Sequence, residues 1–232
     1  MDADQRREEE YKERRRVKRR FDMAKYTGPK CKLCRREMSP LMLKGQRCLT
    51  DKCPLKGDKK YPPGPPRKRR GKVSDYAVQL REKQKIKRTY GLLEKQFRIN
   101  FENANKMRGV TGENMLSLLE RRLDNVIYRL GFATSRSQAR QLIQHKHVKV
   151  NDRVVDIPSF IVREGNSINI RDAFKSNVIL EDSIKLSKAI DSKPEWVEVD
   201  YEKRFAKIIR IPKREDIKDT FNEQLVVELY SK

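Results

Sequence analysis

The first clear hydrophobic periodicity in the chain begins after residue 73. Apolar side chains then recur every three or four residues, at Ile86, Tyr90, Leu93, Phe97 and Phe101. This spacing predicts helix with one buried face, and Ser74 stands where an N-cap is expected. The sequence RGVTG at 108–112 predicts a break. We expect these apolar residues to build a core, not a site.

Residues 121–170 predict two helices followed by short strands. The apolar stripe of the first helix ends at Gly131, which suits the left-handed residue after a helix; the stripe consists of Leu123, Val126, Ile127 and Leu130. Ser135 and Gln138 predict a capping box for the second helix, which continues the buried face with Ala139, Leu142 and Ile143.

Three strands are expected after these helices. Asn151-Asp152 suits a tight hairpin turn between His147–Val150 and Arg153–Val155, and Ser167–Ile170 suits a third strand. Beyond them, VILEDSIKLSKAI predicts a helix, Trp196–Asp200 and Ile208–Ile211 predict strands, and FNEQLVVELYSK predicts a short helix or strand. Trp196, the single tryptophan, is interpreted as a packing anchor.

The charge of the chain indicates a polyanionic partner. Its 232 residues carry 56 Lys and Arg against 33 Asp and Glu, a formal net charge of +23. The excess is concentrated in residues 23–72, which hold 16 of the cations and three of the acids. Nucleic acid is the default partner for such a protein. No apolar run approaches the roughly 20 residues of a membrane span, so a soluble intracellular protein is expected.

All four cysteines lie within 23 residues of this basic stretch. Cys31 and Cys34 form a C-x2-C pair, and Cys48 and Cys53 form a C-x4-C pair after a gap of 13 residues. This spacing is typical of four thiolates around one structural Zn²⁺, which would leave no position for substrate. Two disulfides and an iron–sulfur cluster are the alternatives, the first disfavoured in an intracellular compartment.

The N-terminal 22 residues mix both charges. They contain seven acidic residues among their arginines and lysines, which disfavours an organellar transit peptide. A solvated, partly helical arm and an extension with no dedicated role both remain open.

We therefore predict an α+β protein in several parts. The predicted parts are a charged extension at 1–22, a four-cysteine zinc knuckle-like module at 23–56, a basic Pro/Gly tract at 57–72, a helical domain at 73–111, an RNA-binding helix-turn-helix and strand module at 112–175, and a C-terminal segment at 176–232 that packs back on the helical domain.

Candidate RNA-binding cations occur in each of the basic parts. The module and the tract offer Lys30, Lys32, Arg35, Arg36, Arg47, Arg67, Lys68, Arg69, Arg70 and Lys72. The helical domain offers Arg81, Lys83 and Lys85, which are either ordinary solvated charge, slightly favoured by composition alone, or a second contact to the RNA backbone. The second pair of helices offers Arg122, Arg129, Arg136 and Arg140, at spacings that would flank a shared phosphate groove.

Two further groups have competing interpretations. His145 and His147 flank Lys146 without a further metal ligand at suitable spacing, so this trio is interpreted as RNA-facing or structural. Asp124, in the sequence RLD, is either an ion-pair partner or a catalytic acid. No nucleophile–base pair or Gly-rich phosphate loop accompanies it, which favours the ion pair.

The order of several long motifs resembles the bacterial small-subunit (30S) ribosomal protein S4 family, in its zinc-binding, four-cysteine form. The motifs are YTGPKCKLCRRE, SDYAVQLREKQK, YGLLEKQFRINFE, TGENMLSLLERRLDNVIYRLGFATSRSQARQLI and LVVELYSK, and the resemblance covers about residues 23–232. Residues 1–22 precede Met23-Ala24-Lys25, which looks like the family's usual start.

The resemblance implies a non-enzymatic cytoplasmic protein of the ribosome, monomeric within the particle. It implies primary binding to a small-subunit rRNA junction that nucleates assembly of the 5′ domain (the body of the subunit). It also implies contact with ribosomal protein S5, a position near the channel through which mRNA enters, and an influence on translational accuracy. An RNA-modifying enzyme with a similar RNA-binding module, such as a pseudouridine synthase, and a zinc-dependent translational repressor are the alternatives.

Overall fold

The computed structural model describes residues 25–57, 61–64, 73–190 and 194–231. Its N-terminal part is a small module built on helix α1 (Lys30–Glu37) and a 3-10 helix, Gly45–Cys48. A helical part follows, with α2 (Asp75–Thr89), α3 (Glu94–Asn105) and α4 (Thr111–Glu120).

The second half of the chain is mixed. Its elements are α5 (Leu123–Arg129), α6 (Arg136–Gln144), β1 (Val148–Val150), β2 (Arg153–Val154), β3 (Ser167–Ile170), α7 (Asp172–Lys175), α8 (Val178–Ile190), β4 (Val197–Asp200), β5 (Phe205–Ile208), a 3-10 helix at Arg214–Asp216, and α9 (Glu223–Tyr230). The strands form one antiparallel sheet in the order β2-β1-β3-β5-β4. This mixture of helices and antiparallel sheet is an α+β fold.

Two hydrophobic cores organise these elements. One core joins α5 and α6 to the sheet and to α8, and Trp196 is buried in it, which confirms its interpretation as a packing anchor. The other joins α2, α3 and α4 to the C-terminal helix α9. The segment 176–232 therefore divides: α8, β4 and β5 enlarge the first core, while α9 closes the second.

Several local predictions are confirmed. The Oγ atom of Ser74 accepts a hydrogen bond from the N–H of Ala77 at the start of α2. Gly131 has φ +77 directly after α5, and Lys149 pairs with Val154 across the predicted hairpin. Asn151 in its turn has φ +48, a conformation that Asn tolerates.

Other local predictions are wrong. The apolar residues from Ile86 to Phe101 belong to two helices, because the chain turns at Gly91, whose φ is +66. Leu93, which was predicted to be buried, is exposed. The strand predicted at Ile208–Ile211 instead runs from Phe205 to Ile208. Ile209 and Ile211 lie beyond its end and are exposed. The capping box is only half formed: the Oγ of Ser135 accepts from the N–H of Gln138 at 3.4 Å as predicted, but the Oε1 of Gln138 accepts bonds from Thr134 instead of reaching back to Ser135.

Candidate nucleic-acid interface

The four cysteines converge on one cavity of the N-terminal module. Cys31 and Cys34 lie on α1, Cys48 ends the 3-10 helix, and Cys53 lies in the turn that follows. All four line the same cavity, together with three cations, Lys30, Lys44 and Arg47. The two halves of the sequence motif are thus brought to one place by the loop between them.

The chemistry of this cavity suits a metal bound by sulfur. The four cysteines are free thiols, and the cavity lining includes no histidine or carboxylate. Burial, reinforced by the charges of neighbouring cysteines, raises the pKa of the Cys34 and Cys48 thiols. As they stand, the His, Cys, Asp and Glu side chains in the described ranges form no group of three or more that could hold a metal ion. Four thiols without other donors are a set of ligands that fits Zn²⁺, but their sulfur atoms do not lie at coordination distance from one common point.

The cations of the module differ in their exposure. Lys32, Arg36 and Arg47 are exposed to solvent. Arg35 is held by the protein instead: its Nε donates to the carbonyl of Tyr61 at 3.0 Å, and its guanidinium lies 4.8 Å from that ring. Lys30 donates to the hydroxyl of Ser137 on α6. The exposed three are available to a polyanion.

The cations of α2 are occupied by carboxylates. Arg81 pairs with Glu37 at 3.3 Å, and Lys83, which is buried, pairs with Glu94 at 2.6 Å. Lys85 pairs with Glu82 and also donates to the carbonyl of Thr220. These bonds fasten α2 to the module and to the C-terminal segment, a role that neither interpretation of these cations, as solvated charge or as an RNA contact, had included.

Arg122 and Asp124 form a buried ion pair at the start of α5. The Nε and Nη2 atoms of Arg122 donate to the two carboxylate oxygens of Asp124 at 3.2 and 3.0 Å. Arg140 approaches the same carboxylate at 3.4 Å. Asp124 is 2% exposed, which confirms that it is an ion-pair partner.

Arg129 and Arg136 also face the protein interior. Arg129 donates to both Glu120 and Asp219. The guanidinium of Arg136 lies 4.9 Å from the ring of Tyr90 and 4.5 Å from that of Tyr128, and its Nε donates to Asn125.

These positions correct the expectation that Arg122, Arg129, Arg136 and Arg140 flank an open phosphate groove. Arg122 and Arg136 are more than nine-tenths buried, because carboxylates and aromatic rings next to them in space compensate their charges. Helical spacing could not reveal those partners.

The His145-Lys146-His147 trio forms the turn between α6 and β1. His145 and Lys146 are exposed, and Lys146 has φ +61. The ring of His147 stacks on Phe174 at a centroid distance of 4.2 Å. Burial and the nearby charges of His145 and Arg171 lower the pKa of His147. His145 and Lys146 are open to solvent, with the ammonium of Lys146 4.0 Å from the carboxylate of Asp156, whereas His147 has a structural contact.

The sequence analysis missed a pair of arginines beside this domain. A β-bridge joins Arg122 to Ile161, and next to it the N–H of Val162 donates to the carbonyl of Arg121 at 2.9 Å. The side chain of Arg121 is half-buried, and its Nε donates to the carbonyl of Val162 at 3.0 Å. Burial, followed by the charge of exposed Arg163, lowers the pKa of Arg121. No local sequence signal could reveal this pair, because the bridge joins segments about 40 residues apart.

The basic tract gives no further detail. Arg67, Lys68, Arg69, Arg70 and Lys72 lie outside the described residues.

Among the helices within the described ranges, none combines the length and the apolar character that crossing a membrane requires.

Comparison with known proteins agrees with this architecture. Residues 25–120 match the family model "Ribosomal protein S4/S9 N-terminal domain", and residues 121–168 match the model "S4 domain". The boundary between the two models falls between α4 and α5.

Curated relatives match along their whole length. Proteins called "Small ribosomal subunit protein uS4" from Thermodesulfovibrio yellowstonii and Trichlorobacter lovleyi are 53% and 54% identical over 210 and 212 residues. Another, from Halothermothrix orenii, is 51% identical over 210 residues. Each alignment covers 90% of this chain and 100% of the relative. The chain belongs to the ribosomal protein S4 (uS4) family.

Proposed function

We propose that this chain is a structural, rRNA-binding component of the small ribosomal subunit. The observation that carries the proposal is its identity of about half to small-subunit uS4 proteins over their full length. A net charge of +23 supports RNA as the ligand. Cations neutralise phosphates and release counterions, so binding by placement needs no catalytic group.

Exposed cations define the surface that we propose for RNA. In the module they include Lys32, Arg36 and Arg47, and in the second half of the chain they include Lys146 and Arg163, with the exposed imidazole of His145 next to Lys146. Arg121 stands beside Arg163 with its remaining N–H groups unpaired within the described part of the chain. The basic tract around Arg67–Arg70 would add sequence-independent contacts, including contacts to incoming mRNA.

The finer parts of the proposal come from the family resemblance. They are a junction in the 5′ domain of the rRNA, ribosomal protein S5 as a neighbour, a position near the channel through which mRNA enters, and an influence on decoding accuracy. The same RNA-binding surface would serve a second role as repressor of an mRNA.

One structural Zn²⁺ is also part of the proposal. Cys31, Cys34, Cys48 and Cys53 would hold it, and four thiolates would leave a net negative charge that Lys30, Lys44 and Arg47 offset. The metal would stabilise a module that buries few apolar side chains of its own: Cys34 and Leu41.

Salt dependence of rRNA binding tests the proposal. The affinity of the purified chain for small-subunit rRNA should fall steeply with salt, at a logarithmic slope of about −0.7 to −0.9 per phosphate contacted. The triple variant Lys32→Gln, Arg36→Gln, Arg47→Gln should reduce the magnitude of that slope by roughly 2 to 3. A chain that ignores rRNA at low salt would contradict the proposal.

A matched control uses two exposed cations of the neutral C-terminal part. The double variant Lys203→Gln, Lys207→Gln removes charge from the β4–β5 hairpin, far along the chain from the basic module. For each charge removed, it should change the slope less than the triple variant does. Equal losses per charge removed in both variants would mean that net charge alone, without a defined surface, attracts the RNA.

The alternative of an RNA-modifying enzyme rests on Asp124. Its carboxylate is buried and shared between Arg122 and Arg140, which leaves it no access to a base. We expect the wild type and Asp124→Asn to be equally inactive in an RNA-modification assay. Modified nucleotides formed by the wild type but not by the variant would establish the enzyme instead.

A further inference from the structure

The segment that joins the two pairs of cysteines packs against the second half of the chain. This connecting segment, residues 38–47, runs from the end of α1 to Cys48, and its Gly45 is buried. A Cβ atom at Gly45 would lie 2.7 Å from the carbonyl oxygen of Thr134 and 2.8 Å from the Cβ of the same residue. Glycine permits this close approach. The connecting segment therefore packs directly on the turn between α5 and α6.

Lys30 makes a second contact between the same two parts. It directly precedes Cys31, lines the cavity of the four cysteines, and donates a hydrogen bond to the Oγ of Ser137 in the first turn of α6. Hydrogen bonds that involve a charged group are stronger than those between neutral groups. The side chain of Lys30 thus connects the cysteine cavity with the part of the chain that matches the S4 domain model.

The backbone of the connecting segment adopts an unusual conformation. Met38, Met42 and Gly45 all have positive φ, at +52, +49 and +59. Methionine rarely adopts this left-handed conformation, because its Cβ then crowds the backbone. Such a conformation persists only where the surrounding structure holds it. The connecting segment therefore needs restraint, either from its packing or at its two ends.

Packing supplies only part of this restraint. A cavity of about 120 Å³ lies between Met42 and Leu49 of the module and Tyr128, Ala133 and Leu186 of the second half of the chain. Surfaces that do not meet across a cavity lose the contacts that close packing would provide. Docking of the connecting segment is therefore marginal without a further constraint.

The cysteines can supply that constraint. Cys31 and Cys34 precede the connecting segment, and Cys48 and Cys53 follow it. Thiolates from both sides that bind one Zn²⁺ would close the segment into a loop. Closure reduces the conformational entropy that the segment loses when it packs on the turn between α5 and α6.

A different contact holds α1 to α2. The side chain of Glu37 is 1% exposed and pairs with Arg81 and Arg88. These pairs involve neither a cysteine nor the connecting segment. This attachment would therefore persist when the metal is removed.

We propose that zinc binding by the four cysteines is coupled to docking of the connecting segment on the turn between α5 and α6, and that Lys30 and Gly45 link the two processes. The inference rests on the proposed function, because it takes one structural Zn²⁺ as bound in the module. Each process should favour the other by the same factor, since coupling between two sites is reciprocal. The position of the module's cations relative to those of the second half of the chain would then depend on the metal.

Ser137→Ala tests the coupling at a position far along the chain from every cysteine. It removes the acceptor of Lys30, so the zinc affinity of the full chain, measured by competition with a chromophoric chelator, should fall about three- to tenfold. The control Gln141→Ala, at an exposed position of the same helix, should leave the affinity unchanged. Circular dichroism checks that both variants fold. Wild-type zinc affinity in folded Ser137→Ala would overturn the proposal.

Two lysine variants separate the contact from the charge. Lys30→Met and Lys52→Met each remove one cation directly before a cysteine, but Lys30 reaches α6 whereas Lys52 is exposed. Lys30→Met should weaken zinc several-fold more than Lys52→Met. Adding Ser137→Ala to Lys30→Met should change little further, because both changes remove the same bond. Equal effects of the two lysine variants would mean that charge alone matters, and would overturn the proposed link.

The reciprocal measurement follows the turn itself. Chelation of zinc in the wild type should shift the amide ¹⁵N–¹H signals of Thr134 and Ser137 and leave that of Glu198, on β4, in place. Gly45→Ala should produce similar shifts with zinc present, because its Cβ would push the connecting segment away. Gly57→Ala is the control, since a Cβ there meets nothing within 4 Å. Signals that do not respond to chelation would overturn the coupling.

These measurements keep the inference apart from the proposed function. If the chain binds zinc and neither Ser137→Ala nor chelation has the expected effect, the coupling is wrong, while the zinc site and rRNA binding stand. If the chain binds no zinc, the zinc part of the proposed function and the coupling are both wrong, and rRNA affinity still decides the ribosomal role.

Discussion

Arg129 donates two hydrogen bonds to Glu120, from Nε to Oε2 at 3.1 Å and from Nη2 to Oε1 at 2.8 Å. The same carboxylate accepts bonds from Tyr90 at 2.6 Å and from Asn125 at 2.7 Å, and Arg129 continues to Asp219 at 2.6 Å. Tyr90 belongs to the helical core and Asp219 to the C-terminal segment. One buried carboxylate thus connects both cores at the boundary between the two family models.

Removing this charge should destabilise the whole chain. Glu120→Gln leaves Arg129 without its buried partner, a change that typically costs about 3 to 5 kcal/mol. The free energy of unfolding from denaturant titration measures it. The control Glu198→Gln, at an exposed position of β4, should stay within about 0.5 kcal/mol of the wild type. Equal effects in both variants would refute the central role of Glu120.

The same group predicts how stability depends on pH. Burial alone would raise the pKa of Glu120, but the charge and hydrogen bonds of Arg129, with the charge of Arg136, outweigh it and lower the pKa from 4.5 to about 2. A lowered pKa in the folded state stabilises the protein above the unfolded-state value. This contribution, on the order of 3 kcal/mol, should disappear as the pH falls from about 4.5 to about 2.

The comparison of wild type with Glu120→Gln isolates that contribution. Both chains are measured without metal, so that protonation of the cysteines affects them equally. The difference in unfolding free energy should be largest near neutral pH and shrink towards pH 2. A difference that stays constant over this range would contradict the pKa shift.

Substitution of Gly131 and of Gly165 by alanine allows the cost of a steric contact to be measured apart from the cost of backbone strain. Both have positive φ, +77 and +79. A Cβ at Gly131 would come within 2.3 Å of the Cβ of Ser187 on α8, whereas nothing lies within 4 Å of one at Gly165. Gly165→Ala should therefore cost about 1 to 2 kcal/mol through the left-handed conformation alone.

Gly131→Ala should cost more, about 3 kcal/mol or above, because α8 must also move away from α5. Thermal unfolding of both variants measures the two costs, and the fluorescence of Trp196 reports on the core that α8 helps to form. Equal costs would mean that α8 yields freely and that its packing on Gly131 contributes little.

Zinc removal should affect the module selectively. We expect one Zn²⁺ per chain by elemental analysis and its loss in Cys34→Ser. Treatment with a chelator should raise hydrogen exchange in residues 25–57 and leave the two cores protected. The neighbouring variant Ser39→Ala should keep the metal. A metal content of zero together with unchanged circular dichroism after chelator treatment would defeat the zinc proposal.

Local signals in the sequence are enough for many elements of this fold. Ser74 caps α2, Gly131 ends α5, and Asn151-Asp152 turns the hairpin, because each acts through its own backbone or its nearest neighbours. The family motifs likewise led to the correct family without any knowledge of the fold.

The sites of individual cations could not be predicted in the same way. Spacing indicates which residues share a helix face, but it does not reveal what lies opposite that face. Arg122 and Arg136 look available on a helix taken alone, yet Asp124, Tyr90 and Tyr128 enclose them. Arg121 is held by the carbonyl of Val162, a residue about 40 positions away along the chain.

By itself, then, the sequence determined the basic character of the protein, its helices and turns, the grouping of its cysteines and its family, since each depends on composition or short-range geometry. Only the tertiary structure decided which cations are enclosed and which face solvent. The physical reason is that the free energy of a charge depends on its surroundings, and those surroundings come from residues far away along the chain.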